Sequence, residues 1–216
     1  MGASLPARSI GGDFFEYTDM DDGSIGVVLG DVAGKGPAAA LLTAKIQGLF
    51  TAQVATNSPA AAMRQVNQGL LKRQVDARYA TVFYATLSPE GRLIYCNAGH
   101  NPPMVVGASG VRTLDGSGMP VGLFSAAPYG DEQTMLEPGD VLVTFSDGVT
   151  EALNTAGEEY SEARLIEEVQ KHRTAPLGDF LQAVITSVQA FAAGAQQSDD
   201  VTVLVLRYLG PPAPRA

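Results

Sequence analysis

One cysteine, Cys96, is the whole thiol content of this 216-residue chain. No disulfide can form within it, and a reducing compartment is the simpler setting. Basic residues are also scarce. Fourteen Lys and Arg stand against 23 Asp and Glu, for a net charge of −9. Nucleic acid needs a basic face, so it is excluded as a partner; cations, or proteins with basic patches, suit this surface. Apolar runs of membrane-spanning length are missing: the stretch from Ala38 to Phe50 is interrupted by Lys45 and Gln47. The N-terminus lacks the basic and apolar regions of a signal peptide. These absences point to a cytoplasmic protein with no membrane contact in this segment. With 45% apolar and 17% charged residues, the chain has the material for one globular domain. There is no internal repeat, and the only biased stretch is the proline-containing tail 210–216.

Turn chemistry and apolar spacing divide the chain. Gly12–Tyr17 and Ile25–Leu29 read as strands joined by a polar Asp-Gly connector over 18–23. Two helices follow, from Pro37 to about Val54 and from Pro59 to Gln74, each opened by a proline. Asn57 or Ser58 is the N-cap of the second. Strands are predicted over Thr81–Leu87 and Arg92–Asn97, around the turn Ser88-Pro89-Glu90-Gly91. Further strands fall at Met104–Val106, Gly110–Leu114 and Val141–Phe145. Helices over Ser161–His172 and Leu177–Ala193 precede a closing strand, Val201–Tyr208. Hairpin-linked strands interrupted by helix pairs are not a βαβ pattern. They predict an α+β fold with antiparallel sheets covered by helices.

The stretch GDVAGKG, Gly30 to Gly36, looks like a phosphate-cradling loop but lacks what one needs. The spacing from Gly30 to Gly34-Lys35 is one residue short of a P-loop, Gly36 stands where a Ser or Thr would meet magnesium, and Asp31 would aim a carboxylate at the phosphates. The acids are the stronger signal. Asp13 follows two glycines, Asp31 ends a strand, Asp147 sits in Phe145-Ser146-Asp147-Gly148, and Asp199-Asp200 precede the closing strand. Each alone reads as a turn residue or helix cap. Taken as a set, they are carboxylates beside apolar runs, with too few basic residues nearby to neutralise them. Divalent cations answer that problem, and hard oxygen donors suit magnesium or manganese.

With these motifs in view, the chain resembles the PPM-type, metal-dependent serine/threonine protein phosphatases (the protein phosphatase 2C superfamily), and within them the bacterial SpoIIE/RsbU-like branch. The matching stretches are GGDFFE at 11–16, GDVAGKGPAAAL at 30–41, YATVFYATL at 79–87, YCNAGHNPP at 95–103, GMPVGL at 118–123, LEPGDVLVTFSDGVTEA at 136–152 and SDDVTVLVLR at 198–207. They cover nearly the whole chain in the family's order. The resemblance implies an α-β-β-α sandwich of two antiparallel sheets flanked by helix pairs, spanning 1–209. It also implies two Mn2+ or Mg2+ ions. Asp31 would bridge them, Asp147 and Asp199 would complete one site, and Asp13 with the Val32 carbonyl would hold the other. Asp199 is taken over Asp200 from the family's Asp-(Asn/Asp)-x-Thr pattern. The implied reaction is hydrolysis of phosphoserine or phosphothreonine by a hydroxide that the two ions activate. The implied substrate is a phosphorylated anti-sigma-factor antagonist in a partner-switching pathway.

Some positions depart from that pattern. Glu16 stands where this branch more often has Asp. Arg8 is the nearest candidate for a phosphate-binding arginine, and Lys35 lies in the metal loop. His100 reads as a turn histidine rather than a general acid, and Cys96 as a small core residue. The family's chains usually carry helices and a sensor or receiver domain before GGD, so this chain is expected to be the catalytic domain of a longer regulatory protein and a possible homodimer. The helix from Pro37 is expected to couple such a regulator to Asp31. Two other readings remain at this level: an inert relative that serves as a protein-binding module, and a hydrolase of small phosphoesters.

Overall fold

The computed structural model describes residues 1–7, 11–34, 36–51, 58–72, 79–116 and 118–211. Among the described residues, ten strands and five helices follow one another as β1 (Gly2–Leu5), β2 (Phe14–Asp19), β3 (Ile25–Val32), α1 (Pro37–Thr51), α2 (Pro59–Leu71), β4 (Ala80–Leu87), β5 (Arg92–Ala98), β6 (Met104–Gly107), β7 (Gly110–Thr113), β8 (Glu132–Met135), β9 (Val141–Phe145), α3 (Asp147–Thr150), α4 (Ser161–Lys171), α5 (Leu177–Phe191) and β10 (Val201–Arg207). One sheet has the order β1-β10-β9-β6-β7 and the other β2-β3-β4-β5-β8. Every pairing between these strands is antiparallel.

Three apolar layers hold the sandwich together, and strand periodicity assigns residues to them. Val27 and Leu29 of β3, Phe83 and Ala85 of β4, Leu142 of β9 and Leu204 of β10 share the core between the sheets. The alternate residues Val28, Val82 and Tyr84 face α1 and α2, where Ile46, Phe50, Met63 and Val66 meet them. On the other side Val141, Val143, Val203 and Val205 pack on Leu165, Phe180 and Val184 of α4 and α5. Central strands buried on both faces explain why β3, β4, β9 and β10 read as almost continuous apolar runs. The expected α-β-β-α layering is the observed one.

Local signals account for most boundaries. Ser58 caps α2 by accepting a 3.1 Å hydrogen bond from the Ala61 N–H. The predicted ends of the first two helices, Val54 and Gln74, and the alternative cap Asn57 lie outside the described residues, as does most of the tail. Three elements escaped the sequence reading. β1 has only four residues and one large apolar side chain, and it exists by pairing with β10. β8, Glu-Gln-Thr-Met, is a mostly exposed edge strand on β5. α3 is a single turn directly after β9. Among the described residues, no helix is long and apolar enough to cross a membrane.

Candidate metal centre

The acids singled out in the sequence come from four separate segments that converge at one end of the sandwich. Asp13 immediately precedes β2, Asp31 is the next-to-last residue of β3, Asp147 opens α3, and Asp199 lies two residues before β10. Antiparallel pairing sets part of this geometry: Phe14 is opposite Gly30 in the β2–β3 ladder, so Asp13 arrives beside Asp31. A Cβ placed on Gly12 would lie 2.9 Å from the Val32 carbonyl oxygen and 3.4 Å from Asp31 Oδ1. Only a glycine lets the backbone come so close to both groups.

The electrostatics register the convergence. Burial, first, and the neighbouring charges of Asp31 and Asp200 push the Asp13 carboxyl up to about 8, against hydrogen bonds with Ser146 and Thr202 that lower it. Burial and then the charges of Asp147 and Asp199 raise Asp31 to about 6, while a hydrogen bond with Asp13 pulls the other way. The charge of Asp200 adds a smaller upward push, so Asp31 feels all four of the other acids. Asp13 Oδ2 is buried without a hydrogen-bond partner. An unpaired buried carboxylate oxygen beside like charges is costly, and a cation is the partner that resolves it.

The donor set fits magnesium or manganese: it is all oxygen, carboxylates plus a backbone carbonyl, with no thiolate or imidazole facing in. Among the described residues, no three acidic, histidine or cysteine side chains are drawn together tightly enough to enclose a single ion. The acids stand near enough for their charges to act on one another without closing on a single point. Asp199 also lines a surface cleft with Leu5, Gly148, Leu153 and Val188.

The consecutive acids 199 and 200 part company. Asp199 is half-buried, its Oδ1 accepting the Asp200 N–H at 3.0 Å, and its charge is felt at Asp31. Asp200 is buried and turned to the backbone, where its carboxylate accepts from the N–H groups of Ala7, Gly12 and Asp13. Sequence reasoning missed this role, and also those of Thr43 and Ser146. Thr43 Oγ1 on α1 donates to the Gly12 carbonyl at 3.0 Å, and Ser146 Oγ donates to the Asp200 carbonyl at 3.1 Å. Ser146, directly before Asp147, was the one available signal; Thr43 lies mid-helix, 31 residues from Gly12, and carried none.

Other candidates sit elsewhere. Glu16 is tied to α1 by Gln47, whose Nε2 donates to Glu16 Oε1 at 3.0 Å. His100 is buried in the turn after β5. Its N–H donates to Asn97 Oδ1 at 2.7 Å, and burial lowers its ring to about 4. Burial pushes the Cys96 thiol up to about 12, which makes it a poor nucleophile. Arg8 and Lys35 lie outside the described residues.

Residues 21–209 match the family described as Stage II sporulation protein E (SpoIIE). The phosphoserine phosphatase RsbU of Bacillus subtilis is 30% identical over 211 residues, covering 94% of this chain and 61% of RsbU. The chain thus spans about three fifths of that relative's length. Among solved structures, the SiaA-PP2C domain of Pseudomonas aeruginosa superposes with a TM-score of 0.86 at 20% identity, covering 95% of this chain and 85% of that one. The RsbU and RsbW domains of Rv1364c from Mycobacterium tuberculosis match with a TM-score of 0.80 at 26% identity, covering 98% and 61%. Fold and sequence match agree: this chain belongs to the family described as Stage II sporulation protein E, and its fold is that of the SiaA-PP2C domain.

Proposed function

We propose that this chain is a metal-dependent protein phosphatase that hydrolyses phosphoserine and phosphothreonine. The observation that carries the reading is geometric: the β2–β3 ladder sets Asp13 beside Asp31, and Asp13 Oδ2 is buried there without a hydrogen-bond partner, in a site where the charges of Asp147 and Asp199 also act on Asp31. Asp13, Asp31, Asp147 and Asp199, with the Val32 carbonyl, are the residues that would hold two divalent ions. Such ions supply an activated water and neutralise charge on the phosphoryl oxygens.

The chain's own residues hold this arrangement in place. The buried carboxylates convert desolvation and mutual repulsion into affinity for cations. Gly12 leaves room for the Val32 carbonyl to face the Asp13 segment. Cys96 is inert in the core, so a cysteinyl phosphoenzyme has no nucleophile here.

The substrate we infer is a phosphorylated anti-sigma-factor antagonist, and the setting is a cytoplasmic partner-switching pathway. Residues 1–209 would act as the catalytic domain of a longer protein, joined to an upstream sensor or receiver domain. Support comes from the kinship with RsbU and from two solved relatives. One is described with an RsbW domain, and another, SpoIIE of Bacillus subtilis, with a fragment of a regulatory domain. The test is hydrolysis of an aryl phosphate and of phosphoserine peptides with Mn2+, by the wild type and by Asp147→Asn. Metal-dependent turnover that the substitution abolishes is expected. If the wild type leaves every phosphoester intact with metal present, the inert binding module replaces this reading.

A further inference from the structure

Asp200 is the buried acid that the metal-centre reading leaves without a task. Its side chain is wholly engaged with the backbone of the segment carrying Asp13. Oδ1 accepts the Ala7 N–H at 2.8 Å; Oδ2 accepts the Gly12 N–H at 2.7 Å and the Asp13 N–H at 3.4 Å. The β2 ladder starts only at Phe14, so Asp200 supplies the acceptor that Asp13's own strand does not. The main chain of Asp200 is fastened in a different direction. Its carbonyl accepts from Ser146 Oγ at 3.1 Å, Ser146 Oγ in turn accepts the Thr202 N–H at 3.1 Å, and the Ser146 N–H reaches the Thr202 carbonyl at 3.0 Å. Ser146 directly precedes Asp147, and Asp199 directly precedes Asp200.

Two glycines bear independently on the same residue. A Cβ on Gly11 would fall 2.3 Å from Asp200 Oδ2, and one on Gly148 would fall 2.1 Å from the Asp200 carbonyl oxygen. Both faces of Asp200 are approached by backbone that no side chain could replace without displacing it.

We propose that Asp200 is the positioning residue of the candidate metal centre. Through the Gly12 and Asp13 amides it fixes Asp13, and through Ser146 it fixes Asp147, so that two acids distant in sequence stand at a set separation from Asp31 without Asp200 itself touching an ion. The inference rests on the metal-phosphatase reading and adds to it. The physical basis is that charge-assisted bonds to buried amides are strong, and removing the acceptor leaves those amides unsatisfied. Residues that orient a metal ligand in this way set its affinity.

The test uses the whole chain with Asp200→Leu, which keeps the branch at Cγ but is bulkier and has no acceptor, and Asp200→Asn. Mn2+ binding is followed by calorimetry, hydrogen exchange at the Gly12 and Asp13 amides by NMR, and folding by circular dichroism. Asp200→Leu is expected to weaken Mn2+ binding by about 10- to 100-fold. It should also speed exchange at the two amides while those of β4 and β9 stay protected. Asp200→Asn keeps one carbonyl oxygen for Gly12 and Asp13 and is expected to lose about fivefold or less. If Asp200→Leu does not fold, Gly11→Ala decides, because it displaces the carboxylate with Asp200 still present; it too should weaken Mn2+ binding. Wild-type Mn2+ affinity in the folded Leu variant, or in Gly11→Ala where the Leu variant fails to fold, overturns the proposal. So does unaltered exchange at Gly12 and Asp13. A wild-type chain that binds no Mn2+ overturns the metal reading and this proposal with it. That outcome is distinguishable because the unmodified protein already fails.

Discussion

Thr81 Oγ1 lies 2.9 Å from His100 Nδ1, and Thr81 is the register partner of Asp31 across the β3–β4 ladder. The buried imidazole therefore sits one strand away from the candidate metal bridge. Its Nε2 is buried without a hydrogen bond, and burial outweighs the Phe145 carbonyl, which favours the charged ring.

This predicts an acid-dependent loss of stability. Folded His100 titrates at about 4, whereas an unfolded histidine takes up its proton near ~6.5. Its contribution is complete above pH ~6.5 and is lost as the pH falls through ~4, a change of ~3 kcal/mol. Asp13 and Asp31 act with the opposite sign, since their raised pKa values make stability fall as the pH rises from the ordinary carboxylate range toward about 8. The informative quantity is thus the difference between the wild type and His100→Asn in urea midpoints measured at about pH 7 and about pH 4.5. The variant is expected to lose less on acidification. Equal losses would remove His100 from the account.

Asp13→Asn separates the cost of the buried charge from its use. Without metal at pH ~8 the variant is expected to be more stable than the wild type, by ~1–3 kcal/mol, because a desolvated carboxylate beside Asp31 and Asp200 is gone. Added Mn2+ at ~100 times its Kd should stabilise the wild type by ~2.7 kcal/mol and leave the variant unmoved. Thermal melts with and without Mn2+ read both effects. A variant that Mn2+ still stabilises to the same extent would take Asp13 out of the ligand set.

Thr43→Val tests the link from α1 to the site. The hydroxyl bonds both the Gly12 carbonyl and, within the helix, the Ala39 carbonyl. Its loss is expected to cost ~0.5–1.5 kcal/mol of stability, the usual scale for one such hydrogen bond. A several-fold weakening of Mn2+ binding in calorimetric titration is also expected, since the Gly12-Asp13 segment is released from the helix. Unchanged metal affinity would confine Thr43 to helix stability and argue against α1 as a lever on the centre.

The strands, the hairpin turns and the layering were legible because a residue buried on alternate faces leaves a period-two apolar trace, as Val27 and Leu29 against Val28 show. β8 was not, because an exposed edge strand carries polar side chains and its partner supplies the order. The same limit hid β1. Among site residues, the acids next to glycines stood out. The choice of Asp199 over Asp200 came from the resemblance; that Asp200 instead binds the Ala7, Gly12 and Asp13 amides is visible only in the fold.

From the sequence alone follow the acidic balance, the absence of a disulfide, the α+β alternation of hairpins and helix pairs, and the identity of the carboxylates placed beside glycines. Tertiary structure decided how those carboxylates meet. Asp200 reaches the Gly12 amide across 188 residues of chain, and that meeting depends on β10 lying between β1 and β9. Local propensity fixes short-range conformation. A contact between the two ends of the chain is settled only when both sheets have closed on a shared core, where each buried polar group must find its partner.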